Sequence, residues 1–138
     1  MLFDTHAHLH FPEFAADLPA VLERARAAGI RFMVTIGTDV EDSRRALALA
    51  ERTPDLYAAV GIHPHDAASA DAAALEELEQ LAQASPKVVA VGETGLDYYR
   101  DLSPRDTQAR VFRVELALAR RLGKPVLIHC REAHADVL

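Results

Sequence analysis

The sequence predicts an α/β protein built on a parallel sheet, and three observations lead there. Apolar, β-branched runs alternate with helical patterns five times over. The links are short, and the strand-like runs are continuously apolar, as in strands buried on both faces between crossover helices. Side chains able to bind metal recur where successive strands end, the edge at which enzymes of parallel strands hold their chemistry.

Leu2-Phe3 opens the first strand and leads into Asp4-Thr5-His6-Ala7-His8. A helix from about 17 to 28 sets Leu18, Val21, Leu22, Ala25 and Ala28 on one face and stops at Gly29. Ile30 to Ile36 is the second strand. Thr38 or Asp39 caps a helix that reaches about Arg52, and Thr53-Pro54-Asp55 breaks it. Leu56 to Ile62 is the third strand, ending in His63-Pro64-His65. A helix from about 71 to 84 turns Leu75, Leu78 and Leu81 inward. Val88 to Gly92 is the fourth strand, with Glu93 at its end and Asp97 to Arg100 in the loop beyond. Ser103-Pro104-Arg105-Asp106 reads as N-cap, first-position proline and acidic first turn of a helix running to Leu122, which Gly123 ends. Pro125 to Ile128 is the fifth strand, followed by His129, and Glu132 to Leu138 opens another helix.

With 138 residues, half of them apolar and 26% charged, the chain has the composition of one ordinary globular domain. Its formal net charge of -6 excludes a nucleic-acid binder that relies on a broad basic surface; any such contact is local and metal-assisted. The single cysteine, Cys130, allows no internal disulfide and suits a reducing compartment. No basic, then apolar, leader opens the chain, and no apolar stretch approaches the roughly 20 residues of a membrane span. The expectation is a cytoplasmic protein with no membrane partner.

Two histidines at i and i+2 on a strand point to the same side, so His6 and His8 can reach one ion. An ordinary polar turn is the alternative for that pair alone. In a parallel sheet, however, the tips carrying His6 and His8, His63 and His65, Glu93 and His129 all converge on one pocket. Imidazole with carboxylate suits Zn²⁺, Mn²⁺ or Fe²⁺, and carboxylate with water admits Mg²⁺. One glutamate between two sets of histidines is what a bridged two-metal site needs; such a site activates water and steadies the leaving oxygen of an ester.

Four segments carry a resemblance. Phe3-Asp4-Thr5-His6-Ala7-His8-Leu9, Gly61-Ile62-His63-Pro64-His65, Gly92-Glu93-Thr94-Gly95-Leu96-Asp97-Tyr98-Tyr99 and Pro125-Val126-Leu127-Ile128-His129-Cys130-Arg131-Glu132-Ala133 resemble, in order and over the whole chain, the signature segments of the TatD family of metal-dependent deoxyribonucleases, within the amidohydrolase-like hydrolases. The resemblance implies a TIM-type (β/α)8 barrel of which only the first five βα units are present, residues 1–138 forming one incomplete domain. It implies hydrolysis of DNA phosphodiesters by a metal-activated water, with two divalent ions, Zn, Mn or Mg. His6 and His8 become ligands of one ion, Glu93 the bridging and catalytic carboxylate, and His129 a ligand of the second. His63 and His65 line the pocket and contact substrate phosphate. The family's remaining ligands, a histidine and an aspartate from strands six and eight, lie on strands this chain does not supply, and His10 stands where relatives often carry aspartate.

Other residues have two readings each. Tyr98 or Tyr99 can stack on a base or pack in the fold; Arg131 can bind phosphate or pair with Glu132 or Asp136; Arg100 can meet a phosphate. Asp4 can orient a ligand, Cys130 points away from His129 as a small buried thiol, and His134 is solvated. Two further readings of the whole remain: an inactive metal-binding piece whose free sheet edges drive self-association, and an esterase or lactonase on the same scaffold.

Overall fold

Parallel strands cannot be joined by a tight turn, so each helix must carry the chain back across the sheet. The computed structural model, which describes residues 2–138, follows that rule throughout. β1 (Leu2–Ala7), α1 (Leu18–Ala27), β2 (Ile30–Ile36), α2 (Val40–Glu51), β3 (Leu56–Val60), α3 (Ala72–Gln83), β4 (Val88–Asp97), α4 (Arg105–Leu122), β5 (Val126–Arg131) and α5 (His134–Val137) succeed one another. The five strands pair in sequence order, all parallel, and curl into a half-barrel.

Two apolar layers hold this shape. Met33, Leu49, Leu56, Val60, Leu78, Val88, Val111 and Leu118 fill the space between sheet and helices. On the other face Ile36, Ala59 and Ala90, with Val34 and Leu127, make a small floor. Burial of such side chains is worth about 1.5–3 kcal/mol each. Gly29 and Gly123 follow α1 and α4 with φ of 89° and 63°, the left-handed exit that glycine takes without strain.

The strands outlast the lengths expected for them. β1 runs to Ala7, so His6 lies within it; β5 runs to Arg131, past His129. β4 continues through Glu93 to Asp97 rather than ending at Gly92. Gly92 and Gly95 look like breaks in the sequence, but they are where backbones touch. A Cβ on Gly92 would lie 2.5 Å from the Leu127 carbonyl oxygen, and one on Gly95 2.0 Å from that of His129. β3, in contrast, ends at Val60, and a 3-10 helix at Pro64–Ser69 follows His63. Asp39 caps α2 by accepting from the Asp42 N–H at 2.7 Å. Ser103 is not the cap of α4, which begins after Pro104. Its hydroxyl donates to the His65 carbonyl instead and accepts from the Ala68 N–H.

Candidate metal centre

β1 brings the first two imidazoles. Its register against β2 shifts between Asp4 and Ala7, the stretch that holds His6. His8 Nδ1–H donates to the Ile36 carbonyl at 2.8 Å. A carbonyl only accepts, so the ring proton sits on Nδ1 and Nε2 keeps a free lone pair. His6 Nε2 and His8 Nε2 stand 3.3 and 3.8 Å from Glu93 Oε2.

The other carboxylate oxygen of Glu93 faces a second set. Oε1 is 3.1 Å from His129 Nδ1 and 3.9 Å from His63 Nε2. Donors sharing one zinc-like ion at about 2.0–2.1 Å stand roughly 3.0–3.4 Å apart. The gaps are close to that scale, so His6, His8 and Glu93 could hold one divalent ion, and Glu93 with His129 another. Burial pushes the Glu93 carboxyl up, but the hydrogen bond with His129 and the surrounding imidazoles outweigh it and hold it below its ordinary value. It is therefore ionised, as a shared ligand must be.

His129 is aimed from behind. Its Nε2–H donates to Asp97 Oδ2 at 2.9 Å, which turns Nδ1 toward Glu93. The same oxygen accepts from His65 Nε2 at 2.9 Å, while Oδ1 accepts the backbone N–H groups of Tyr99 and Arg100. Burial opposes the charge on Asp97, yet these donors keep it well below the usual carboxylate range. A carboxylate behind an imidazole in this way fixes its tautomer and raises its basicity toward a metal. The bond to Glu93 and that to Asp97 together raise the His129 pKa against burial.

His63 is arranged the other way round. Its Nδ1 accepts the His65 backbone N–H at 3.1 Å, so the neutral ring carries its proton on Nε2. Burial lowers its pKa to about 4, so the ring is neutral at pH 7. By distance His63 completes a triad with Glu93 and His129. By hydrogen bonding, it presents a donor there. His8, Phe11, Thr38, His63, His65, Asp66 and Glu93 line the open depression above this cluster.

The remaining candidates divide. At the ends of β4 and β5, the Arg131 guanidinium lies 3.8 Å over the exposed Tyr99 ring, rather than pairing with Glu132 or Asp136. Tyr98 is held elsewhere: its hydroxyl donates to Asp136 at 2.8 Å, and its ring packs under Arg105 beside the Leu96 and Phe112 cluster. Cys130 is half-buried in that same cluster. His10 is a satisfied core residue, its Nε2–H donating to Asp42 and its Nδ1 accepting from the Thr35 hydroxyl. Asp4 accepts the His6 backbone N–H and touches no imidazole; His134 is exposed. Asp97, expected in a loop, is the last residue of β4. Its signal is the period of two from Glu93 through Gly95 to Asp97, visible once the strand is carried past Gly92.

The sequence matches the model of the family described as TatD related DNase over residues 3–138. It is 44% identical to the uncharacterized metal-dependent hydrolase YabD of Bacillus subtilis (strain 168), over 100% of this chain and 54% of that protein. It is 47% identical to the 3'-5' ssDNA/RNA exonuclease TatD of Musicola paradisiaca (strain Ech703), over 97% of this chain and 51% of that one. The fold superposes on the crystal structure of YJJV, a TatD homologue from Escherichia coli K12, with a TM-score of 0.92 and 39% identity, covering 99% of this chain and 53% of the other. The chain thus spans about half the length of the curated relatives it matches.

Proposed function

Because the chain belongs to the TatD related DNase family, we propose that it carries the dinuclear metal half of a hydrolase cleaving DNA phosphodiester bonds. The observation that carries this reading is Glu93, whose two oxygens each stand among imidazole nitrogens delivered by different strands. His6 and His8 would hold one ion and His129 the other, with Glu93 shared between them. Two ions of Zn²⁺, Mn²⁺ or Mg²⁺ would supply the activated water and take up charge on the leaving oxygen. The Nε2–H of His63 donates to a phosphoryl oxygen, and His65 stands beside it on the substrate side. Arg131 meets a neighbouring phosphate. Tyr99 rather than Tyr98 stacks a base, since Asp136 holds the Tyr98 hydroxyl.

A net charge of -6 gives no broad grip on a duplex, whereas an open depression with one arginine and one exposed ring suits a single strand. Relatives named as single-strand exonucleases support that preference. The test is Mn²⁺- and Mg²⁺-dependent digestion of end-labelled single-stranded DNA, beside p-nitrophenyl phosphodiesters, lactones and amides. DNA and phosphodiester turnover is expected, lost on chelation and in Glu93→Ala. Turnover of the carbonyl substrates alone would reject the nuclease, and full activity in Glu93→Ala would reject the site.

A further inference from the structure

α4 contributes no side chain to the metal centre, yet two of its most buried residues are polar. Gln108 and Glu115, two turns apart and so on one face, are 1% and 0% exposed. An ionisable side chain this deep is rare unless it is tied to specific partners. The partners of Glu115 lie next to the site. Its Oε1 accepts the backbone N–H of Ile62 at 2.8 Å, the residue before His63. Its Oε2 is hydrogen-bonded to the hydroxyl of Thr94, the residue after Glu93. Gln108 does the same two turns earlier: it accepts the Asp97 N–H and donates to the carbonyls of Asp97 and Ser103.

We propose that Glu115 is a positioning residue for the metal centre: one buried carboxyl ties the end of β3 to the far half of β4 and fixes where Glu93 stands relative to His63. The two tips need such a tie. β3 has ended at Val60, so the Ile62 N–H has no ladder partner across to β4. The pairing of β4 with β5 is itself irregular between Val91 and Thr94, on either side of Glu93. A side chain from the helix behind replaces the missing ladder bonds.

The chemistry also predicts which replacement preserves the tie. Burial pushes the Glu115 carboxyl up to about 8, so it is largely protonated at neutral pH. A neutral carboxylic acid accepts on one oxygen and donates from the other. An amide of the same length can do both: its oxygen accepts from Ile62 and its nitrogen donates to Thr94. An apolar isostere can do neither and strands the Ile62 N–H.

This inference rests on the metal reading of Glu93, so the experiment reads metal binding directly. The protein as its gene encodes it is titrated with Co²⁺ and followed by the visible ligand-field band, beside the circular dichroism of the fold. Glu115→Leu is expected to weaken Co²⁺ binding at least tenfold and to alter the band while the fold persists; Glu115→Gln is expected to restore both. Thr94→Val, which cuts only the β4 end of the tie, is expected to weaken binding several-fold, and it decides the matter should Glu115→Leu fail to fold. A folded Glu115→Leu or Thr94→Val with wild-type affinity and spectrum would overturn the positioning role. Wild-type protein that binds no Co²⁺ would overturn the metal reading itself.

Discussion

Imidazole has two nitrogens, and what one is bonded to decides what the other can do. Here the rings sort by that rule. His8 donates its Nδ1–H to the Ile36 carbonyl and so keeps an Nε2 lone pair near Glu93, while His129 donates its Nε2–H to Asp97 and its Nδ1, hydrogen-bonded to Glu93 here, is the nitrogen that can exchange its proton for a metal. His63 accepts at Nδ1 and keeps its proton on Nε2, among the same atoms. Substituting them should therefore have unlike consequences. His129→Ala is expected to cost 10-fold or more in Mn²⁺ or Co²⁺ affinity. His63→Ala should leave affinity within about threefold of wild type yet lower turnover by about 10²- to 10³-fold, the scale of one lost hydrogen-bond donor to developing charge. Calorimetric titration of both variants checks this; loss of metal in His63→Ala as severe as in His129→Ala would make His63 a ligand after all. None of this sorting is written in the residue types. The sequence supplies seven histidines and their strand-end spacing, whereas the partners that set each tautomer lie 28 and 32 residues away for His8 and His129.

Elements were legible in the sequence wherever periodicity is long, and illegible where glycine interrupts it. The order of strands and helices follows from alternating apolar runs and from the glycines that end α1 and α4. The length of β4 does not, because Gly92 and Gly95 read locally as breakers while their use is in the sheet. Gly95→Ala is accordingly expected to drive β4 from β5, since its Cβ would meet the His129 carbonyl oxygen at 2.0 Å at a φ of 140°. We expect a loss of more than about 2 kcal/mol in chemical denaturation, with weakened metal binding because His129 moves. A second element-level device is the start of α2. Burial pushes the Asp42 carboxyl up, but hydrogen bonds from His10, Arg45 and Thr38 outweigh it and hold it well below the carboxylate range. A carboxyl depressed in the folded state contributes stability above its unfolded value near pH 4, and that stability is lost as pH falls toward the folded value. Asp42→Asn should thus lower stability at pH 7 by about 1–3 kcal/mol and flatten its decline below pH 4. Parallel acid titrations of unfolding check it; identical acid limbs would deny Asp42 that part.

At the scale of the whole molecule, the sheet order explains both the site and a liability. Five parallel strands in sequence order curl so that β1 and β4 face each other across Glu93, although 85 residues separate Glu93 from His8. The order was legible because consecutive βα units place strands side by side. The register shift of β1 beside His6 was not, since it depends on how β1 meets β2. The same order leaves β1 and β5 as edges, each with one row of backbone groups unpaired among the described residues. Natural edges are blunted by lysine, proline or a covering element. Leu2–Ala7 holds no lysine or proline, and Leu2 and Phe3 are 60% and 58% exposed on it, with Ile128 48% exposed on β5. Apolar side chains beside an unpaired ladder are what another strand would cover. The 138-residue chain by itself is therefore expected to associate at micromolar concentration, and sedimentation velocity over a tenfold dilution series should show the weight-average mass rising with concentration. Replacing Phe3 with lysine should shift that curve toward monomer while leaving Glu93 and its imidazoles in place, because Phe3 packs on Phe32 rather than on the centre. A wild-type monomer at every concentration, unfolding in one sharp transition, would mean that the register shift and twist of the half-barrel protect its edges without a partner.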